Sequence, residues 1–87
     1  MKAGIVYLIT FRSVTYAQRG ERVLNRAGER CSLQRTPRWM EEQGCGYSLR
    51  VQTENIERAV LLLRGEKLPL GKVYLRLEDG GLEEVTV

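Results

Sequence analysis

The residues able to do chemistry in this 87-residue chain gather around one cysteine. Cys45 lies between Gly44 and Gly46 in EEQGCGYSLR, where a polar run gives way to alternating apolar positions. A structural cysteine is ordinarily among the most buried residues. Glycine on both sides points instead to an unusual turn, or to close approach by backbone or partner. The thiolate is the nucleophilic form, and cations or a helix N-terminus lower the thiol pKa. Arg12, Arg38 and a helix opened by Ser13 could supply both. Pro37 fixes the backbone ahead of Arg38, whose planar fork of donors suits a carboxylate, a phosphate or a thiolate. Glu41 and Glu42 act the other way, because nearby like charge disfavours the anion. A solvent-facing turn cysteine without a role, and a solvated surface arginine, are the plain alternatives.

Cys31 reads differently. It alternates with Leu33 on an apolar face, which is core behaviour. A hairpin with its loop over 36–46 pairs Cys31 near residue 51. That puts it roughly 15 Å from Cys45 at ~3.4 Å per strand residue, beyond the ~7 Å Cα separation that a disulfide tolerates. The chain has no histidine, so it lacks the commonest general base and the commonest metal ligand at neutral pH. Two cysteines cannot make a four-ligand zinc site and are too few for a disulfide scaffold. No metal and no cofactor are expected, and the reducing cytoplasm is the expected compartment.

The positioning elements follow from hydrophobic period. Lys2 and AGIVYLITF resemble a short signal-peptide core, but the run is closed by Arg12 and its Ile, Val, Tyr and Phe content suits a strand over 4–11. No stretch nears the ~20 apolar residues of a membrane span. After Ser13 as N-cap, Val14, Ala17, Gly20, Val23, Leu24 and Ala27 form one helical stripe, with Gly28 as the stop. RCSLQR (30–35) and YSLRVQ (47–52) alternate as strands, the latter with Tyr47, Leu49 and Val51 inward and Ser48, Arg50 and Gln52 outward. Trp39 and Met40, in the loop between them, either form a lid or partner-docking patch or tuck back under the loop as a satellite core, the second being slightly favoured. TENIERAVLLLRG is a second helix with Ile56, Ala59, Val60 and Leu63 as its stripe, Gly65 as its stop and Pro69 beyond. KVYLRLE (72–78) is a fourth strand, Asp79-Gly80-Gly81 a turn, and LEEVTV a short fifth strand.

One domain over 1–87 is expected, of α+β class. It would be a ferredoxin-like βαββαβ sandwich, an antiparallel sheet of order 4-1-3-2 with two helices on one face and a short extra C-terminal strand. In that topology Phe11 to Ser13, Thr36 to Arg38 and Gly44 to Gly46 meet at one end of the sheet. LEEVTV would cap its own sheet or pair across a homodimer. Charge is uneven: residues 1–38 carry +6 and residues 39–87 carry −3, giving the net +3.

Phe11-x-Ser13 after the first strand, Glu21 in the helix, Thr36-Pro37-Arg38, and Cys45-Gly46 leading into an apolar strand together resemble the small bacterial family of selenium/sulfur carrier protein-like chains. The likeness covers roughly residues 5–78, and the pair TPR…CG is its most specific part. It implies a cysteine, Cys45, that carries a chalcogen as persulfide or selenosulfide, with Phe11, Ser13, Pro37, Arg38 and Gly46 in its flanking motifs. The family tends to have small hydroxyl residues before the cysteine, where this chain has Glu41-Glu42-Gln43-Gly44, and often threonine where it has Val14.

The leading expectation is a carrier, rather than a turnover enzyme, that moves sulfur or selenium between donor and acceptor proteins. Arg12, Ser13, Pro37, Arg38, Gly44 and Gly46 form the binding surroundings of Cys45. The alternative is a non-catalytic protein-binding or regulatory module using the 36–46 loop. Nucleic-acid binding is disfavoured, because Tyr7, Phe11 and Tyr47 do not form an RNP-like run.

Overall fold

The computed structural model describes residues 5–36 and 46–87. The strand β1 (Val6–Phe11) is the centre of the molecule. It is flanked on one side by β3 (Tyr47–Gln52) and on the other by β4 (Leu70–Arg76), both antiparallel to it. β2 (Arg30–Arg35) pairs outside β3, and β5 (Leu82–Val85) pairs outside β4. The result is a five-stranded, wholly antiparallel sheet of order β2-β3-β1-β4-β5, more than a simple four-stranded βαββαβ sheet. A central strand must be apolar on both faces, and β1 has Leu8, Ile9, Thr10 and Phe11 all buried.

Both helices, α1 (Val14–Arg26) and α2 (Ile56–Gly65), bury their stripes against the same sheet face. That face carries Ile9, Phe11, Leu49, Val51 and Val73, and Ala17, Leu24, Ala59, Val60 and Leu63 pack onto it. Each large apolar side chain fully removed from water contributes about 1.5–3 kcal/mol, so this layer is the main source of stability. Gly20 sets how closely α1 can approach. A Cβ there would come within 3.0 Å of Phe11 Cζ and 3.1 Å of Leu49 Cδ1.

Ser13 caps α1 as expected, its Oγ accepting the Tyr16 N–H at 3.2 Å. Val14 was expected on the buried stripe but is 37% exposed; it opens the first helical turn, three residues past the end of β1. Gly28 (φ +86°) closes α1: its N–H donates to Asn25 O, and that of Glu29 to Leu24 O. Such paired bonds satisfy the last carbonyls through one left-handed residue.

The second helix differs from expectation at both ends. It is capped by Asn55, whose Oδ1 accepts the Arg58 N–H at 3.1 Å, so it starts three residues inside the apolar window. It is stopped by Lys67 at φ 59°, with the Lys67 N–H on Arg64 O and the Leu68 N–H on Leu63 O, and Gly65 is simply its last residue. A side-chain ion pair between Arg58 and Glu29 joins the start of α2 to the α1–β2 connection.

The fourth strand runs Leu70–Arg76 rather than 72–78. The cause is Thr10: its Oγ1 accepts the Lys72 N–H at 2.7 Å, and its hydroxyl donates to Lys72 O at 3.3 Å. The register slips there, between Ile9 and Phe11, so Phe11 comes to stand opposite Leu70. Gly71 permits the approach, since a Cβ at that position would lie 2.3 Å from Thr10 Oγ1. The Asp79-Gly80-Gly81 turn forms as expected, with the Gly81 N–H on Asp79 Oδ1 at 2.8 Å. β5 then caps its own sheet against β4.

The free edge at β2 is guarded. Glu21 on α1 reaches over and its Oε2 accepts the Leu33 N–H at 3.0 Å. An edge strand with unpaired N–H groups is a template for another chain, and this carboxylate occupies one of them.

Candidate functional site

One end of the sheet gathers the described parts of the expected site. β1 runs into Arg12 and the Ser13 cap, and Thr10 stands opposite Ser48 on β3. β2 leads to Thr36, whose N–H donates to Gly46 O at 2.8 Å, continuing the β2–β3 ladder past Arg35 and Tyr47. Gly46 has φ 85°, a left-handed conformation that glycine adopts at no steric cost. Arg12 is exposed, and Ser13 is half-buried with its oxygen engaged at the helix start. Arg12, Ser13 and Gly46 are therefore brought to one end. Pro37, Arg38, Gly44 and Cys45, with Trp39, Met40, Glu41 and Glu42, lie outside the described residues.

Cys31 occupies the position expected from pairing, opposite Val51. It is half-buried rather than enclosed, at the rim of the core under α1. Its Sγ lies 3.5 Å from both Glu21 O and Asn25 Oδ1, which its one proton can serve. The thiol is pushed up from 9.0 to about 11. Burial is the largest cause, followed by the negative charges of Glu21 and Glu29, and hydrogen bonding at Asn25 acts in the opposite sense. At neutral pH this sulfur is a thiol, a weak nucleophile.

Two residues that the sequence reading did not count among the surroundings of Cys45 stand at the same end. Ser48 was expected to face outward. It does point to the face without helices, yet it is 0% exposed, and Thr36 is 4% exposed. Neither hydroxyl has a hydrogen-bond partner among the described residues. Alternation alone could not reveal this, because a serine on the polar side of a strand looks the same whether or not that side is covered. On the helix side of the same end, the Arg35 guanidinium stacks over Tyr47, 5.5 Å from the ring centroid.

Elsewhere the described surface has shallow grooves. One lies on the outer side of α2 between Asn55, Arg58, Leu61 and Glu66, and another beside α1 between Arg19, Arg22, Arg26 and Glu66. Neither is lined by Ser13, Thr36 or Gly46. Among the described residues no cluster of three or more His, Cys, Asp or Glu could hold a metal ion, and no helix is long and apolar enough to cross a membrane.

The model of the family described as "Putative Se/S carrier protein-like" matches residues 6–75. No curated protein and no solved structure matches the chain. The matched span runs from the start of β1 into β4 and includes the whole end of the sheet just described.

Proposed function

The chain belongs to the Se/S carrier protein-like family, and we propose that it holds a sulfane sulfur, or selenium, on Cys45 and passes it between proteins. The observation that carries this reading is the state of the other cysteine. The chain has two, and Cys31 is held as a half-buried thiol with its pKa near 11. Sulfur chemistry at neutral pH therefore falls to Cys45.

The fold supports the assignment through what surrounds that segment. We read the arrangement as a ferredoxin-like sandwich extended by one edge strand: the order β2-β3-β1-β4 supports it, with β5 added outside. Gly46, the neighbour of Cys45 in the chain, lies at the sheet end from which α1 begins. The positive end of a helix favours an anion nearby by about 0.3–1 kcal/mol. Arg12 and Arg38 add positive charge. Gly44 and Gly46 leave both flanks of the thiol without side chains, and Pro37 stiffens the approach to Arg38.

The transfer needs no cofactor, metal or general base. The Cys45 thiolate attacks the outer sulfur of a donor persulfide, R–S–SH. The Cys45 S–S bond forms as the donor's S–S bond breaks, and the donor departs as R–S⁻. Cys45 is left as Cys–S–SH with its charge balanced by the departing thiolate. An acceptor thiolate repeats the exchange in the other direction. Donor and acceptor are proteins of the reducing cytoplasm that themselves bear a persulfide or a receiving thiol, and the chain acts as a carrier rather than a turnover enzyme.

Incubation with a cysteine desulfurase and cysteine, followed by intact mass measurement, tests this. The wild-type chain is expected to gain the mass of one sulfur, lost again on reduction, and Cys45→Ser is expected to gain none. Uptake by Cys45→Ser equal to the wild type would overturn the reading.

A further inference from the structure

The outer side of the helix layer carries cations that the fold does not use. Arg58 is paired with Glu29, and Arg64 donates to Val87 O at 3.0 Å. Arg19, Arg22 and Arg26 on α1 are all exposed, and none has an ion-pair or hydrogen-bond partner among the described residues. Glu21, between the first two in the chain, turns its carboxylate to the Leu33 N–H instead. The three arginines follow helical spacing, so they form one stripe about 10.5 Å long at ~1.5 Å per residue. Together with Val23 they line a cavity of about 140 Å³, and Glu66 from the end of α2 closes it. Glu66 also lines the groove on the outer side of α2. There Leu61 is 67% exposed, beside Leu62 and Gly65. The basic stripe and the apolar strip are thus two halves of one surface, joined at Glu66.

We propose that this surface docks an amphipathic helix of a partner protein, with carboxylates toward Arg19, Arg22 and Arg26 and apolar side chains toward Leu61 and Leu62. The inference goes beyond the carrier reading and does not depend on Cys45. A helix has the matching repeat: acidic residues three and four apart lie on one of its faces at the same rise as the arginines. An amphipathic helix laid in a groove is a recurring mode of peptide recognition. Each arginine offers a planar fork of donors that suits a carboxylate. The rest of the surface decides between a protein and a nucleic acid. Glu57 and Glu66 would repel a backbone that is negative throughout. Bases of a single strand stack on aromatic rings, and neither groove is lined by one. A helix that is acidic on one side only sets its charges on α1 and its apolar side chains on α2.

The test uses the full chain and three probes: a synthetic helical peptide with glutamates and leucines on adjoining faces, the same peptide with lysine for every glutamate, and a single-stranded oligodeoxynucleotide. Binding is followed by amide shifts of the labelled protein and by fluorescence anisotropy at two salt concentrations. The acidic peptide is expected to bind saturably, to shift amides of α1 and α2, and to bind less well in high salt. Arg22→Ala and Arg26→Ala should each weaken it about two- to fivefold. Arg22→Glu combined with Arg26→Glu should abolish its binding and allow the lysine peptide to bind instead. Leu61→Ser should also weaken it, whereas Arg76→Ala, on β4, should not. All these side chains are exposed, and an unchanged thermal midpoint in each variant confirms that only the surface has been altered. Absence of saturable binding overturns the proposal, as does equal binding of the two peptides by the wild type. Affinity indifferent to the α1 substitutions overturns it too. So does tighter binding of the oligonucleotide than of the acidic peptide, which would make the stripe a nucleic-acid surface.

Discussion

The fold acts directly on the thiol of Cys31. For Cys31 the folded pKa, about 11, is raised above its ordinary 9.0. The proton is therefore held more tightly in the folded state. The stability this gives is fully present below pH 9.0 and is lost as pH rises through about 11. Urea denaturation at pH 8 and pH 11 should show wild type losing about 1 kcal/mol more than Cys31→Ala, the figure reduced for solvent screening. Equal losses in the two proteins would contradict the shift. In a labelling experiment Cys31 should react far more slowly than Cys45 at neutral pH and catch up only in strong alkali. Lys67 is a second residue with a conformational cost, since it holds φ 59° with a side chain attached. Lys67→Gly should raise stability by roughly 0.5–1 kcal/mol, read as a higher urea midpoint with an unchanged slope.

Elements meet where small residues let them. Gly20→Ala gains helix propensity of about 1 kcal/mol but drives a methyl against Phe11 and Leu49. Overpacking of that kind costs ~1–3 kcal/mol, so the net change should be destabilising, and Gly20→Val should be worse. Gly71→Ala should cost about 2–3 kcal/mol, because its methyl would collide with Thr10 Oγ1 and the Thr10 carbonyl and break both bonds to Lys72. Amide exchange at Lys72 would report the break directly. These two glycines also mark what the sequence could and could not convey. Gly20 falls on a helical stripe, so its role in close packing was legible from spacing. Gly71 lies between two strand-like segments, and nothing local tells that Thr10, sixty-one positions away, will bond across it. The β4 boundary was therefore misplaced by two residues at each end. The same contrast holds at the helix ends. Ser13 and Gly28 carry their own signals, whereas Lys67 adopts a left-handed turn that only the docking of Leu68 into the core imposes.

At the scale of the whole molecule, element order, both helices and the edge position of the last strand were legible from alternation and turn residues. The buried hydroxyls of Thr36 and Ser48 were not, because burial of a polar strand face depends on what lies across it. β5 covers β4 through four register pairs from Val73–Val85 to Arg76–Leu82, with Lys72 and Glu84 3.7 Å apart beside them. Removing residues 80–87 should uncover the β4 edge and leave Leu75 and Val73 less protected. The truncated chain is expected to lose several degrees of thermal stability and to self-associate in light scattering at concentrations where the full chain does not. A truncated chain that remained as dispersed and as stable as the full one would show that β5 is dispensable.

The carboxylate of Glu21 protects the β2 edge only once α1 has docked, because it reaches Leu33 from a helix twelve residues earlier in the chain. In time, then, the hairpin of β2 and β3 has an unguarded interval during which its outer N–H groups are open to any neighbour. Protection of the edge is kinetic before it is structural. Refolding of Glu21→Ala should accordingly show a yield that falls with protein concentration more steeply than that of the wild type, even under conditions in which the two native states, once formed, are equally monodisperse.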